Sequence, residues 1–245
     1  MVLAAGQGTR LRPTTDGTPK ALVPVAGRPM IEYALLLLRH YGIEDIIINL
    51  HHFGEQIESR LGDGRAWKLK ITYSREPELL DTGGGLLKAK SFLQDGAFIV
   101  INTDALIDLN LGELIDFHGR NNAAVTLVLR PDSRADEYGS MDIDASGRVC
   151  RFLDTQSPIP RAGAPVKLMF TGVQILDPKV FDHMTEHAAM RKFSTTKHIY
   201  PRMLAAGERL FGFRFDGFWQ DLGTLERIRE AELRMRTGQA QLHYL

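Results

Sequence analysis

Apolar positions along the first half of the chain follow two alternating periods. Residues 1–5 (MVLAA) form a short apolar run that stops at Gly6, and residues 46–50 (IIINL) form a β-branched one. Both read as buried strands. Residues 69–73 alternate, 97–101 (AFIVI) are continuously apolar, and 123–129 read as a further strand. Between them the period lengthens. From Pro29 the apolar residues Ile31, Ala34, Leu35, Leu38 and Tyr41 predict a helix stopped by Gly42, and 55–61 predict a short one closed by Gly62. Residues 86–93 and 111–118 predict two more helices. Strands alternating with helices over short connections imply an α/β fold, Rossmann-like, with three α/β/α layers and a mixed, mostly parallel central sheet. Ligands of such sheets sit at the carboxyl ends of the strands. Gly6 lies at one such end, and the segment after Ile101 lies at another.

The second half is less regular. Residues 140–152 predict a hairpin turning at 145–147, and 155–165, rich in Pro, Gly and Ser, predict a mobile surface loop. A strand is expected over 167–176, a helix over 196–206, a strand over 210–215 and a charged helix over 224–236. No internal repeat or long linker interrupts the pattern, so one domain over 1–245 is expected.

Composition narrows the partners. The 245 residues carry 30 basic and 30 acidic side chains, a net charge of zero. Nothing global points to nucleic acid or an acidic membrane surface. The single cysteine, Cys150, excludes an internal disulfide and suits a reducing compartment. No charged, then apolar, leader opens the chain. The longest apolar run, near 34–38, is far shorter than the ~20 residues of a membrane span. The expected location is the cytoplasm.

The chemistry starts in the stretch LAAGQGTRLRP, residues 3–13. A glycine-rich turn after a strand exposes backbone N–H groups that can cradle phosphate. A dinucleotide fingerprint would need a third glycine where Leu11 stands, and an acidic residue at the end of the second strand, which instead reads Asn49-Leu50-His51. A P-loop would need Lys-Ser/Thr after Gly8, where Thr9-Arg10 stand. Neither fits. LAAGQGTRLRP followed by TPKALVPVAGRPMIEY, then DTGGGLLKA, INTDALI, FTGVQIL and FWQDLGTLE, resembles the sugar-phosphate nucleotidyltransferases. These enzymes join a nucleoside triphosphate to a sugar 1-phosphate and release pyrophosphate.

The resemblance implies a nucleotide-binding half over 1–110, a sugar-binding half over 111–225 and a terminal helix and tail over 226–245. It implies that Ala4, Ala5, Gly6, Gly8 and Thr9 line the nucleotide, with Asp81 and Gly83 near the base. Arg10 would reach the β- and γ-phosphates, where leaving-group charge builds, and its planar fork of donors suits that task. Lys20 would stand near the α-phosphate or the sugar phosphate. Two anions must meet in line, so neutralising charge and aligning reactants are the main tasks. Asp104, after the strand AFIVIN, and Asp221, in FWQDLGT, would hold Mg²⁺. Thr103 stands where the family has glycine, Gly223 would permit the turn, and Thr224 would cap the last helix. For the sugar, Asn102, Gly139, Thr171 and Gly172 match family positions. The family's mid-chain Glu-Lys-Pro is absent; Asp154 and Lys167 are the substitutes on offer. His51 and His52 lack partners at metal-ligand spacing and read as structural. Asp108 reads as a surface or cap residue.

Within the family, TGGG and the chain length are most similar to the N-acetylmuramate 1-phosphate uridylyltransferases of cell-wall recycling, with mannose 1-phosphate guanylyltransferases close behind. The expected partners are UTP or GTP and a sugar 1-phosphate, acting on a monomer or small homo-oligomer, with no nucleic acid and no membrane. Two other readings stay open. One is a nucleotide-sugar sensor without turnover. The other is a phosphocholine-type cytidylyltransferase, for which Tyr138 and Phe170 are too few to build an aromatic cage.

Overall fold

In the computed structural model, which describes residues 1–133, 135 and 140–245, strands and helices follow each other in the expected order. The elements are β1 (Val2–Leu3), β2 (Pro24–Val25), β3 (Arg28–Pro29), α1 (Met30–His40), β4 (Asp45–Leu50), α2 (Gly54–Leu61) and β5 (Lys70–Arg75). Then come α3 (Asp81–Lys88), α4 (Lys90–Leu93), β6 (Phe98–Asn102), β7 (Ala105–Ile107), α5 (Leu111–Arg120), β8 (Val125–Arg130), β9 (Ser140–Ile143), β10 (Val149–Phe152) and β11 (Thr155–Gln156). The chain closes with β12 (Val166–Leu176), α6 (Val180–Met184), α7 (Tyr200–Ala205), β13 (Leu210–Arg214), β14 (Trp219–Asp221) and α8 (Leu225–Arg236).

These elements fall into two units that do not follow the halves expected from the sequence. The first unit is Met1–Leu79, Ile101–Leu111 and Gly217–Leu245; the second is Leu80–Val100 and Gly112–Asp216. The chain leaves the first unit, returns with residues 101–111, and returns again with its last segment. Residues 80–100 therefore belong with the second unit, and the terminal helix belongs with the first.

The first unit carries the parallel sheet. β1 pairs with β4 and, through Ile101 and Asn102, with β6; β4 pairs with β5; all three ladders are parallel. Helix α1 packs more completely than its periodicity implies. Residues 30–38 are all buried, including Glu32 at 2% exposure. A helix apolar on every side is a core helix. The one charge in that stretch is neutralised by Arg60 at 2.8 Å and Arg28 at 3.5 Å.

The second unit is mostly antiparallel. β12 pairs with β8 and β9, β10 pairs with β9 and β11, and only β13 joins β8 in parallel. The expected hairpin is β9–β10, turning at Gly147, whose φ of +80° suits glycine. The segment after β11 is exposed, yet it is tied down at Ala162, whose carbonyl accepts from Ala145 N and whose N–H donates to the Asp144 side chain. Asp144 Oδ1 accepts from Ser146 N, Ser146 Oγ and Arg148 N, and Oδ2 accepts from Ala162 N at 3.0 Å. No helix among the described residues is long and apolar enough to cross a membrane.

Burial raises the Asp144 carboxyl, but the donors on Ala162, Ser146 and Arg148 outweigh it and hold the group below the usual carboxylate range. We expect Asp144→Ala to cost about 2 kcal/mol in urea unfolding at pH 7. A group with a depressed folded pKa contributes fully above its unfolded value, near pH 4, and the contribution is lost as pH falls through the folded value. The difference between wild type and variant should therefore shrink on acidification. A difference that stays constant from pH 7 down to pH 3 would refute this role.

Candidate active site

The glycine loop is held at its root by a buried chain of polar contacts. Ala4 N donates to Asn49 Oδ1 at 2.8 Å, and Asn49 Nδ2 donates to Glu76 Oε1 at 2.8 Å. Both side chains are 4% exposed, so neither has water to turn to. Beyond Ala5 the loop surfaces at Gly6 and turns at Gly8, with φ of +65°. A Cβ at Gly8 would lie 2.9 Å from Lys20 Cβ and 3.0 Å from Thr15 Cγ2. Only glycine lets the loop lie this close to Lys20. The chain then makes a single 3-10 turn, Thr9–Leu11, rather than entering a long helix.

Asp104 follows the end of β6. Thr103, the residue that replaces the family's glycine, turns inward: its hydroxyl donates to Leu3 O at 3.0 Å and it is 7% exposed. It ties the end of β6 to the end of β1. Asp104 Oδ2 accepts from Lys20 Nζ at 2.5 Å. The side chains of the pair are 27% and 12% exposed.

Asp221 reaches the same place from the far end of the chain. β14 pairs antiparallel with β7, with Asp221 opposite Ala105, Gln220 opposite Leu106 and Trp219 opposite Ile107. Leu222 N adds a bond to Asp104 O at 2.9 Å. The two aspartates thus stand at the same end of one short ladder. Asp221 Oδ1 accepts from Gly223 N at 3.0 Å, and Oδ2 is ion-paired with Arg227 Nη1. The helix cap is Thr224, whose hydroxyl accepts from Arg227 N at 3.3 Å, so Asp221 is free of that duty.

Arg10 completes the group. A Cβ at Gly223 would lie 2.8 Å from Arg10 Nη2, 3.0 Å from Arg10 Cζ and 2.9 Å from Asp221 Oδ1. The Arg10 side chain lies on the bare face of Gly223, beside Asp221. It makes no hydrogen bond or ion pair with any described residue. All four residues expected to be catalytic, Arg10, Lys20, Asp104 and Asp221, therefore gather in the first unit. Among the described residues no three His, Cys, Asp or Glu side chains form a group that could hold a metal alone. Two carboxylates borne at one end of a ladder suit a hard cation that takes its remaining ligands from substrate phosphates, as Mg²⁺ does.

Other residues expected at the site have different surroundings. Asn102 ends β6 and is half-buried opposite Leu3. Asp81 opens α3 with φ of +61°, and its carboxylate caps its own neighbour, Thr82 N, at 2.7 Å. Gly83 N donates to Phe193 O at 2.8 Å. A Cβ on Gly83 would collide with the Phe193 ring, and one on Gly84 with Arg191 O. These two glycines admit the 191–193 segment against α3, and the Gly83 N–H is already taken. Thr171 is 2% exposed and donates to Val128 O at 2.9 Å, inside the sheet. Gly172, with φ of +90°, sits at a bulge of β12 against β8. Asp154 is exposed in the turn before β11, and Lys167 is exposed on β12 in register with Asp142. Gly139 and Tyr138 lie outside the described residues.

The two histidines behave as expected; Asp108, expected as a surface or cap residue, and Arg227 do not. His51 Nδ1 bonds Glu76 O at 2.9 Å and the His52 ring lies 4.0 Å from that of Phe53, so both histidines are structural, though in the turn after β4 rather than on it. Asp108 anchors the tail by accepting from His243 N at 2.9 Å and contacting His243 Nδ1 at 2.5 Å. Arg227 escaped the sequence reading altogether. Its signal was a basic residue in the first turn of α8, where the helix dipole disfavours a cation.

Comparison with known proteins identifies the family and the fold. The nucleotidyl transferase family profile matches residues 1–238. The chain is 35% identical to an N-acetylmuramate alpha-1-phosphate uridylyltransferase of Neisseria meningitidis, over 95% of this chain and 96% of that one. It is 33% identical to a mannose-1-phosphate guanylyltransferase of Mycobacterium tuberculosis, over 92% of this chain and 61% of that one. The chain thus spans about three-fifths of the length of some of its relatives. A crystal structure from Bacillus anthracis, assigned as a glucose-1-phosphate thymidylyltransferase and holding sucrose, superposes with a TM-score of 0.82 over 96% of this chain and 94% of that one, at 24% identity. It shares the fold. The chain belongs to the nucleotidyl transferase family.

Gly223→Ala tests the seat of Arg10. The methyl group meets the end of the Arg10 side chain and Asp221 Oδ1, so both must give by a few tenths of an ångström and stability should fall by about 1 kcal/mol. Displacing Arg10 should weaken nucleoside triphosphate binding about tenfold. Unchanged binding in isothermal titration would show that Arg10 works elsewhere.

Proposed function

We propose that the protein transfers a nucleotidyl group from a nucleoside triphosphate to a sugar 1-phosphate, releasing pyrophosphate, and that the pair is UTP and N-acetylmuramate 1-phosphate. The observation that carries the reaction class is the gathering of Arg10, Lys20, Asp104 and Asp221 around Gly223 and the β7–β14 ladder. Backbone N–H groups of the exposed Gly6–Arg10 turn hold the triphosphate. The unpaired Arg10 guanidinium takes the β- and γ-phosphates and stabilises the charge of departing pyrophosphate. Lys20 leaves Asp104 for the phosphate oxygens near the α-phosphorus and draws the incoming sugar phosphate into line. Asp104 and Asp221 would hold Mg²⁺, which would supply further neutralisation of phosphate charge when bound. The sugar phosphate oxygen attacks the α-phosphorus, the bond to the β-phosphate oxygen breaks, and pyrophosphate leaves with the electron pair.

Support for UTP and the muramate ester is the relative matched along 96% of its length. GTP with mannose 1-phosphate is the second choice, supported by relatives at 31–33% identity. Identity at this level leaves base selection to a few hydrogen bonds. Pyrophosphate release should be measured with Mg²⁺ across UTP, GTP, dTTP, CTP and ATP, paired with N-acetylmuramate, mannose and glucose 1-phosphates and with phosphocholine. The expected result is release with UTP and the muramate ester. In Asp104→Asn it should fall at least about 100-fold while circular dichroism is unchanged. Tight nucleotide binding with silence across the panel would replace the enzyme by a sensor.

A further inference from the structure

Arg227 and Asp221 form an ion pair that the reaction as described does not use. The pair is largely withdrawn from water, with side chains 20% and 13% exposed. It occupies Asp221 Oδ2, while Gly223 N occupies Oδ1. Asp104 differs. Lys20 takes its Oδ2, and Oδ1 has no partner among the described residues. One proposed metal ligand therefore keeps an oxygen without a partner among the described residues, and the other keeps none.

The position of Arg227 makes the pairing informative. Thr224 is the cap of α8, so Arg227 is the third residue of the first turn, a place suited to Glu or Gln. A cation there opposes the helix dipole, and its chain folds back to Asp221 instead of running into solvent. A guanidinium on Asp221 and a divalent cation on the same carboxylate would repel at contact distance. Moving the guanidinium away without a replacement would leave a part-buried charge unpaired. Arg10, Lys20 and Arg227 against Asp104 and Asp221 leave the group one charge positive, ready for an anion.

We propose that Arg227 is a positioning residue that holds Asp221 closed to metal until a triphosphate arrives to take the guanidinium. Metal and nucleotide then enter as an exchange of partners: the carboxylates pass to the divalent cation and the arginine to phosphate. The two bindings are thereby coupled, and by linkage each tightens the other by the same factor, about 5–150-fold. The inference rests on the proposed function only in taking Asp104 and Asp221 as the metal ligands.

The test is Mn²⁺ binding to the full chain, read by electron paramagnetic resonance without nucleotide, in wild type, Arg227→Gln and Arg227→Lys. Glutamine keeps an N–H donor for Asp221 but removes the charge. We expect Arg227→Gln to bind Mn²⁺ alone about tenfold tighter than wild type and UTP, in EDTA, several-fold weaker. Arg227→Lys should keep the wild-type Mn²⁺ affinity, because the charge remains. Equal or weaker Mn²⁺ binding by Arg227→Gln would overturn the proposal and leave Arg227 as a helix anchor. Should Arg227→Gln fail to fold, Arg227→Lys decides: Mn²⁺ affinity that shifts despite the retained charge would overturn it as well. Pyrophosphate release by the wild type with no Mn²⁺ gain in Arg227→Gln would sink this inference alone. A Mn²⁺ gain with a protein inactive on every substrate pair would instead sink the proposed reaction.

Discussion

Six residues form the constraint on which the site depends. β7 and β14 pair over three positions each, and through them Asp221 meets the Asp104 turn. The two aspartates are far apart in sequence, and neither could bring the other near by local structure. Backbone hydrogen bonds bring the two residues to one end of the ladder, so their nearness along the backbone is set by strand geometry. The ladder also fixes the Gly223 turn, whose bare face seats Arg10.

Around that ladder the chain works by close approach and by charge balance. Gly8 lets the phosphate-type loop lie on Lys20, and Gly223 lets Arg10 lie beside Asp221. The second approach brings a cation next to a carboxylate, and the Lys20–Asp104 and Arg227–Asp221 pairs add two more, so like charges are interleaved with opposite ones. Such a site is stable without ligand and still able to exchange partners. Lys20 and Arg227 are held at modest cost because each has a counter-charge, whereas either aspartate left alone would be expensive.

Much of this was legible in the sequence, for stated reasons. The β-branched run of β4 and the helical period of α1 are long enough to reveal themselves. Asp104 and Asp221 stood in motifs, and the resemblance assigned their role. The strands that join them did not show, because three residues carry no period; β2 and β3, of two residues each, are invisible in the same way. The full burial of α1 was understated because Glu32 breaks the apolar pattern, and the arginines that neutralise it lie elsewhere in the sequence. The two units escaped notice because their segments are discontinuous, and a chain that leaves and returns leaves no compositional seam. Gly83 was expected to serve a base; its environment shows a packing reason in Phe193 that no local sequence pattern encodes.

In the proposed reaction Asp104 and Asp221 act on one cation. This is tested most directly by crystallising the protein with Mn²⁺ and a non-hydrolysable triphosphate analogue and measuring the anomalous difference map. One peak is expected at about 2.0–2.3 Å from an oxygen of each aspartate, with Arg227 moved off Asp221. A peak bound by Asp104 alone, with the Arg227–Asp221 pair intact, would contradict it.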